Sequence, residues 1–558
     1  MREANITRAP NRRSEAEIRR SMGPKTPQRA KEDKGERETF HALKMQRVLS
    51  PVSYGHRNAV KAKIQEVDTF DQFNLLPIIK ESIGPQALGG MSEIVPSAIQ
   101  RLAIPTFLGQ ELTRKRRPMY PVDSKPTMEQ FLIAAETGSG KTLAYLLPIL
   151  DAMKRAEAID DEEEVRRRAE IEKRTRTDPT YVEPPPLNDI RNVSTGRPRA
   201  IILVPTAELV AQVCAVAKSL SHTIKFRTAA LSSNLSPKVI RNRLFSDTGV
   251  DLVISTPHLL SSIAEAEGNV LSRVSHLVID EADSLLDRSF TPATTAIIDR
   301  ATPSLRQLIL CSATIPRTLD TYLRTRFPNL VRLVTPNLHA IPRRVQLGVV
   351  DVEKEPYRGN KLLACADTIW MIGKNDTNET DSADVPHAPT ESMALKRLLV
   401  FVNERETTTE VAEYLRSKGI DAAALTRDTP ERQLATLLAP FTVQPTQPGV
   451  TQFPTHAASS VASHNTHNYS SASPAKRTLP NVKVLVTTDL GSRGIDTLAV
   501  RHVILYDVPH STIDFIHRLG RTGRMGRRGR GIVLVGKGDR RDVVREVREG
   551  MFRGQALI

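Results

Sequence analysis

The sequence predicts an α/β protein with two parallel-sheet domains covered by helices. Short apolar runs of strand length form a first series: "FLIAA" from 131, "AIILV" from 200, "DLVIS" from 251, "HLVID" from 276 and "QLILC" from 307. A second series comprises "RLLVFV" from 397, "KVLVT" from 483, "HVILY" from 502 and "GIVLVG" from 531. Continuous apolar strands alternating with helical stretches fit parallel sheets buried on both faces. Two series imply two domains, joined by a connector over 336–350. A length of 558 residues accommodates both, with extensions.

Composition narrows the function classes. A formal net charge of +16 favours a polyanionic partner, most simply nucleic acid; solvated basic arms would give the same total. No window approaches eighteen uninterrupted apolar residues, so no membrane span is expected. Cys214, Cys311 and Cys365 are far apart, with no CxxC pair, which argues against a disulfide framework and for a reducing compartment. Aromatics are only 4%, so recognition of RNA by aromatic stacking platforms is not the obvious design.

The rest of the chain reads as extensions and insertions. Residues 1–67 form a basic N-terminal extension, arginine-rich over its first 50 residues and without an apolar signal core. It reads equally as a mitochondrial transit segment, against which Glu3, Glu15 and Glu17 count, and as a disordered basic arm. Proline-bearing residues 111–130 read as an insertion, as do 154 to about 198, which open on the charged helical run "KRAEAIDDEEEVRRRAEIEKR". Residues 373–389 and the Ser/Thr/Pro/His-rich 443–480 read as low-complexity insertions.

"FLIAAETGSGKTLAYLLPIL" is a strand, a glycine-bearing turn and an amphipathic helix. The turn, Ala135, Glu136, Thr137, Gly138, Ser139, Gly140, Lys141 and Thr142, fits a phosphate-binding loop with alanine at its first glycine. Gly138 and Gly140 let backbone N–H groups approach phosphates, and the following helix N-terminus adds positive partial charge. Lys141 can reach the terminal phosphates and Thr142 can ligate Mg2+. Asp280 and Glu281 end an apolar strand, where a parallel sheet presents its binding edge. Asp280 can hold the ion through water, and Glu281 can orient and deprotonate the attacking water. An isolated acidic string is more often a solvated helix start; a phosphate loop upstream weakens that reading. "HRLGRTGRMGRRGRG" from 517 concentrates arginines that suit an RNA patch, phosphoryl-stabilising fingers, or both.

The ordered strings "PSAIQ" (96–100), "AETGSGKT", "PTAELVAQ" (205–212), "TPHLL" (256–260), "DEAD" (280–283), "SAT" (312–314), "LVFVNERE" (399–406), "TTDLGSRGID" (487–496) and "HRLGRTGR" (517–524) resemble those of DEAD-box RNA helicases. The resemblance spans residues 68–540, and "ALKMQRVLSPVSYGHRNAVKAKI" before "TFDQFNLLPIIKESI" is similar to the fungal mitochondrial branch linked to large mitoribosomal subunit assembly. It implies a Q-motif region at 68–101, RecA-like domains at 102–335 and 351–558, and ATP with Mg2+ in the cleft between them. Gln100 would read the adenine edge, with Phe70 over the base. Asp496 would contact the ribose, and Arg521 and Arg524 would be the fingers. Ser312 and Thr314 would couple hydrolysis to closure through Asp283 and His517. Pro205, Thr206, Thr256, Pro257, Thr488 and Arg493 would face RNA, with Asn403 and Glu404 in or behind that face. The implied setting is the mitochondrial matrix. The partners would be ribosomal RNA and possible assembly factors, with a monomeric chain. An ATP-gated RNA scaffold remains an alternative, and so does a DNA helicase.

The departures from the family pattern cluster on the RNA side of the first domain. Ala207 stands in place of an arginine, His258 and Leu259 in place of Gly-Arg, and "LSSN" (231–234) in place of a Gly-Gly pair. In the second domain Gly491 and Ser492 replace an alanine pair, and Thr429 a glutamine. Each lost phosphate contact lowers the salt slope of binding by roughly 0.7–0.9. Either the core grips RNA weakly and relies on its extensions or partners, or Lys238, Arg241 and Arg243 supply replacement contacts.

Overall fold

The computed structural model describes residues 49–50, 54–89, 94–110, 128–177, 195–336, 338–342, 344–374, 395–426, 429, 431–442, 478–489, 500–523, 528–554 and 556–557. Most of the expected N-terminal extension and of the insertions lies outside these residues, as do Gly491, Ser492, Arg493, Asp496 and Arg524. No helix among the described residues is long and apolar enough to cross a membrane. The three cysteines are buried and unpaired, as their spacing implies.

Two parallel sheets carry the chain. The first holds β1 (Glu129–Ala134), β2 (Ala200–Leu203), β3 (Thr228–Leu231), β4 (Leu252–Ser255), β5 (His276–Ile279), β6 (Gln307–Ser312) and β7 (Val331–Val334), in the order β3-β4-β2-β5-β6-β1-β7. The second holds β8 (Val345–Asp351), β9 (Lys396–Phe401), β10 (Ile420–Leu425), β11 (Leu479–Thr487), β12 (His502–Leu505) and β13 (Gly529–Val535), in the order β10-β11-β9-β12-β13-β8. Every pairing within the two sheets is parallel.

Alternation along the strands builds a core on each face. Phe131 and Ile133 face one cluster of the first domain, and Leu132 and Ala134 the other. Phe70, Phe73, Ile79 and Ile83, from the segment ahead of the Q-motif string, fill the first of these clusters. The second sheet packs Leu398, Val400, Val484 and Val486 against the helices Lys361–Lys374 and Arg405–Ser417.

Two sequence expectations change in detail. The nine apolar runs correspond to the nine interior strands, whereas β3, β7, β8 and β10 are the four sheet edges. An edge strand has one neighbour and keeps polar or small residues, so it shows no continuous apolar run. β8 is half exposed and starts at Val345, so the second sheet begins inside the span expected as connector. The charged run after 154 is also no separate insert: it continues the phosphate-loop helix, Lys141–Thr177, a rod about 55 Å long. Its exposed half carries the i,i+4 pairs Glu164–Arg168, Glu170–Arg174 and Glu172–Arg176, which support a helix that buries little. Asp160 ties the rod to the sheet through Arg199 and, at 2.9 Å, Arg273.

Candidate ATP and RNA sites

Strand order sorts the motif residues along one edge. All strand C-termini of a parallel sheet lie on the same side, where ligands bind. β5, β6 and β1 are neighbours, and they deliver Asp280, Ser312 and the loop Ala135–Thr142 respectively. β3, β4 and β2 form the other half and lead into Ser232, Thr256–Pro257 and Pro205–Thr206. Nucleotide-type strings therefore share one half of the edge and RNA-type strings the other.

In the phosphate loop Gly138 and Gly140 have φ of 75° and 87°, a region that favours glycine. A Cβ on Gly140 would stand 2.7 Å from Gln100 Nε2. Gln100 is buried; its Nε2 donates to the Gly140 carbonyl at 3.2 Å and its Oε1 accepts from the Ser97 N–H at 2.8 Å. It thereby closes a capping box at the head of the helix Ala98–Phe107 and braces the loop. Lys141 Nζ donates to the carbonyls of Ala135 (2.8 Å) and Glu136 (3.0 Å). Burial pulls the Lys141 pKa down, opposed by Asp280. Glu136 Oε2 and Ser139 Oγ are buried without hydrogen-bond partners. Thr137 Oγ1 crosses to the second domain and donates to the Gly520 carbonyl at 3.1 Å. Phe70 is buried edge-on to Phe73, ring centroids 5.8 Å apart, as part of the core.

The acidic string supplies the complementary charge. Asp280 is buried, accepting at Oδ2 from the Tyr145 hydroxyl (3.0 Å) and at Oδ1 from the Glu281 N–H (2.9 Å). Burial pushes its pKa up to about 6, against the pull of Lys141. Glu281 has φ 55°, a strained left-handed backbone for a non-glycine residue, and its Oε2 is buried without a hydrogen-bond partner. Asp283 Oδ2 accepts from Thr314 Oγ1 at 2.5 Å and lies 3.3 Å from His517 Nε2. Ser312 Oγ donates to the Thr314 carbonyl at 2.6 Å and accepts from its N–H at 3.3 Å. Ser312, Thr314, Asp283 and His517 thus form a continuous polar chain from the first sheet to the second.

Among the described residues no three His, Cys, Asp or Glu side chains cluster as metal ligands. Thr142, Asp280 and the neighbouring Glu281 are a sparse oxygen set. That set fits Mg2+, which keeps several waters and takes phosphate oxygens rather than a full protein cage.

On the second sheet Arg521 is buried beside Gly520. Arg518 belongs to the same arginine run but is interior, at 1% exposed. Its guanidinium donates to both Asp489 oxygens (2.7 and 2.6 Å) and to Asn403 Oδ1 (2.8 Å), and it lies over the Phe401 ring. Asn403 therefore supports the domain interior, and Arg518 is no part of an RNA patch. Thr488 directly follows β11 and is half-buried.

On the RNA half, the Thr206 hydroxyl caps the helix Ala207–Ile224 by accepting from the Leu209 N–H at 3.3 Å. Ala207 opens that helix half-buried. Pro257 is buried and Thr256 half-buried at the head of the helix Pro257–Ala266. His258 is exposed on that helix, with its ring 5.0 Å from the Phe290 ring. "LSSN" ends β3, and the helix Pro237–Leu244 that follows exposes Lys238, Arg241 and Arg243. Sequence reasoning missed Tyr145. Tyr145 had a signal: it lies one turn past Lys141 on the phosphate-loop helix.

The DEAD/DEAH box helicase family matches residues 97–322, and the helicase conserved C-terminal domain matches 472–526. The mitochondrial ATP-dependent RNA helicase mrh4 of Sclerotinia sclerotiorum is 60% identical over 563 aligned positions, covering 100% of this chain and 88% of that protein. Its Neurospora crassa counterpart is 55% identical over 539 positions, covering 95% and 83%. Among solved structures, S. cerevisiae Dbp5 bound to RNA and ADP BeF3 gives a TM-score of 0.56 at 20% identity, over 88% of this chain and 94% of that one. Mss116 bound to ssRNA and UDP-BeF gives 0.57 at 19% identity, over 87% and 77%. These two show likeness of fold. With relatives this similar aligned over nearly the whole chain, this protein belongs to the DEAD-box ATP-dependent RNA helicases, in their mitochondrial branch.

Proposed function

We propose that this helicase remodels structured mitochondrial ribosomal RNA during large-subunit assembly, by ATP-driven closure of its two domains in the mitochondrial matrix. The division of one sheet edge into a nucleotide half and an RNA half carries the closure reading. The ribosomal target rests on the likeness of residues 42–83 to the fungal mitochondrial branch.

The loop Ala135–Thr142 wraps the triphosphate, and Lys141 leaves its carbonyl partners for the terminal phosphates. Gln100 braces the loop and reads the adenine edge. Thr142 and Asp280 would hold Mg2+, which would supply positive charge to offset that of the phosphates. Glu281 takes a proton from the water that attacks the γ-phosphorus as the bond to the β-bridging oxygen breaks. Arg521 and Arg524 neutralise charge on the transferring group and Asp496 holds the ribose, so ATP favours the closed state. RNA on Pro205, Thr206, Thr256, Pro257, Thr488 and Arg493 favours that same state, which couples the two ligands. A strand bent in the closed form no longer fits a duplex, and short helices melt. Loss of the γ-phosphate releases the arginines, and the chain Ser312–Thr314–Asp283–His517 passes reopening between domains. The protein acts as a monomer, with assembly factors as partners.

Crosslinking the protein to RNA in cells and sequencing the adducts tests the substrate. Adducts concentrated on large-subunit mitochondrial ribosomal RNA are expected; a spread over messenger RNAs without that focus would refute the assignment. The altered Ala207 and His258 positions favour a second reading, an ATP-gated clamp that scaffolds assembly with unwinding incidental. Cells sustained by the Glu281→Gln protein would select that reading.

A further inference from the structure

Segments outside both sheets converge on one residue beside the coupling string. Ile315 directly follows Thr314 and is 3% exposed. Its carbonyl accepts from the Ser50 N–H at 2.9 Å, and its own N–H donates to His339 Nε2 at 2.9 Å. His339 lies in the connector between β7 and β8, is 1% exposed and has φ 65°, a rare backbone for a non-glycine residue. Its carbonyl accepts from the Leu557 N–H at 3.0 Å, near the end of the chain. An N-terminal segment, the connector and the C-terminal segment are thus pinned together one peptide away from Thr314.

The other end of the connector reaches the arginine turn. Gly523, two residues after Arg521, has φ 72°. A Cβ there would lie 2.4 Å from Val345 Cγ2 and 3.7 Å from Pro342 Cβ. Only residues 340 and 341 separate His339 from Pro342, the first residue that packs on this turn. The connector therefore spans from the Ser312–Thr314 strand end to the turn that carries a proposed finger, a route separate from the Asp283–His517 contact.

The ring chemistry suits a fixed acceptor. Nε2 accepts a backbone proton, so Nδ1 carries the hydrogen of a neutral ring. Nδ1 is buried without a hydrogen-bond partner among the described residues, so the tautomer is set by the Ile315 bond alone. Burial holds the His339 pKa at about 4, which keeps the acceptor available at neutral pH.

We infer that His339 is a positioning residue that links ATP turnover at the Ser312–Thr314 strand end to movement of the second domain through its bond to the Ile315 N–H. It acts through other groups and touches no reacting atom.

The test uses the full chain, a short RNA duplex with a single-stranded tail, and two rates measured together: ATP hydrolysed and strands separated. His339→Phe keeps a ring and removes the acceptor, His339→Leu removes both, and His339→Gln keeps an acceptor. The acceptor-free variants are expected to separate about tenfold fewer strands per ATP hydrolysed. Their RNA-independent hydrolysis should stay at the wild-type rate, and His339→Gln should recover the yield to within about twofold. An unchanged yield per ATP in His339→Phe overturns the inference, even if both rates fall together. So does a loss in His339→Gln equal to that in His339→Phe. If both acceptor-free variants fail to fold where His339→Gln folds, the residue is structural and the inference falls. The inference rests on the closure mechanism proposed above: wild-type protein that hydrolyses ATP without separating strands would refute that mechanism instead.

Discussion

Glu281 and Gly520 show how single residues set the chemistry. Glu281 spends backbone strain at φ 55° to place a carboxylate with a buried, unbonded oxygen next to Asp280. Glu281→Gln keeps the shape and removes the proposed base. Its RNA-stimulated kcat should fall by about 10²- to 10⁴-fold with ATP affinity retained, read by steady-state hydrolysis and nucleotide titration. Gly520 is one of the points where the domains touch. A Cβ there would stand 2.2 Å from Thr137 Oγ1 and 2.7 Å from the Ile516 carbonyl, so Gly520→Ala pushes the phosphate loop and arginine turn apart. RNA-stimulated kcat should fall by roughly tenfold while ATP binding stays within about twofold, because only closure is hindered. Equal loss of both would place the damage in the loop itself.

At the scale of elements, β9, β11 and the helix Thr512–Leu519 are locked by Arg518. Asp489→Asn leaves a guanidinium that is 1% exposed without its counter-charge. Breaking a buried pair costs about 3 kcal/mol, the low end of the usual range because Asp489 is 29% exposed; thermal melting reads the loss. Two buried histidines give the fold a pH signature. His276 is depressed from 6.5 to about 4 by burial and Arg306, and His339 likewise by burial and Arg57, against the pull of Asp283. At these two sites the folded chain binds fewer protons than the unfolded one between these values, while Asp280, raised to about 6, and Glu136, raised by burial, bind more and oppose part of the effect. The stability these two histidines contribute is therefore complete above about 6.5 and lost as pH falls towards 4, on the order of 3 kcal/mol per group. Replacing His276 by Gln should flatten the fall of Tm between pH 7 and 4.5; an unchanged pH profile in that variant would contradict this. Sequence legibility divides along the same elements. Interior strands were readable because burial on both faces demands unbroken apolar runs, and the motif residues Asp280 and Ser312 sit at strand ends, with Lys141 at the head of the helix after β1, as their spacing implies. The edge strands carry no such runs. Arg518 read as one of the arginines suited to an RNA patch or to phosphoryl-stabilising fingers because no local pattern records a partner 29 residues away, and His339 was silent because its bond joins two turns of irregular chain.

For the whole molecule, the +16 charge and the basic helix Pro237–Leu244 bear on how RNA is held without an arginine at Ala207. If Lys238, Arg241 and Arg243 replace the lost contacts, changing all three to alanine should lower the slope of log affinity against log salt by about 2 in the full chain. An unchanged slope would assign the grip to other basic segments. The central claim is that ATP and RNA bind cooperatively by closing two domains on each other. Its most direct test is the affinity of the full-length Glu281→Gln protein for a single-stranded RNA, measured with saturating ATP and then with ADP. Cooperative closure predicts at least about tenfold tighter RNA binding with ATP than with ADP, and linkage then requires RNA to raise the preference for ATP over ADP by the same factor. Equal RNA affinity in the two nucleotide states would contradict the account.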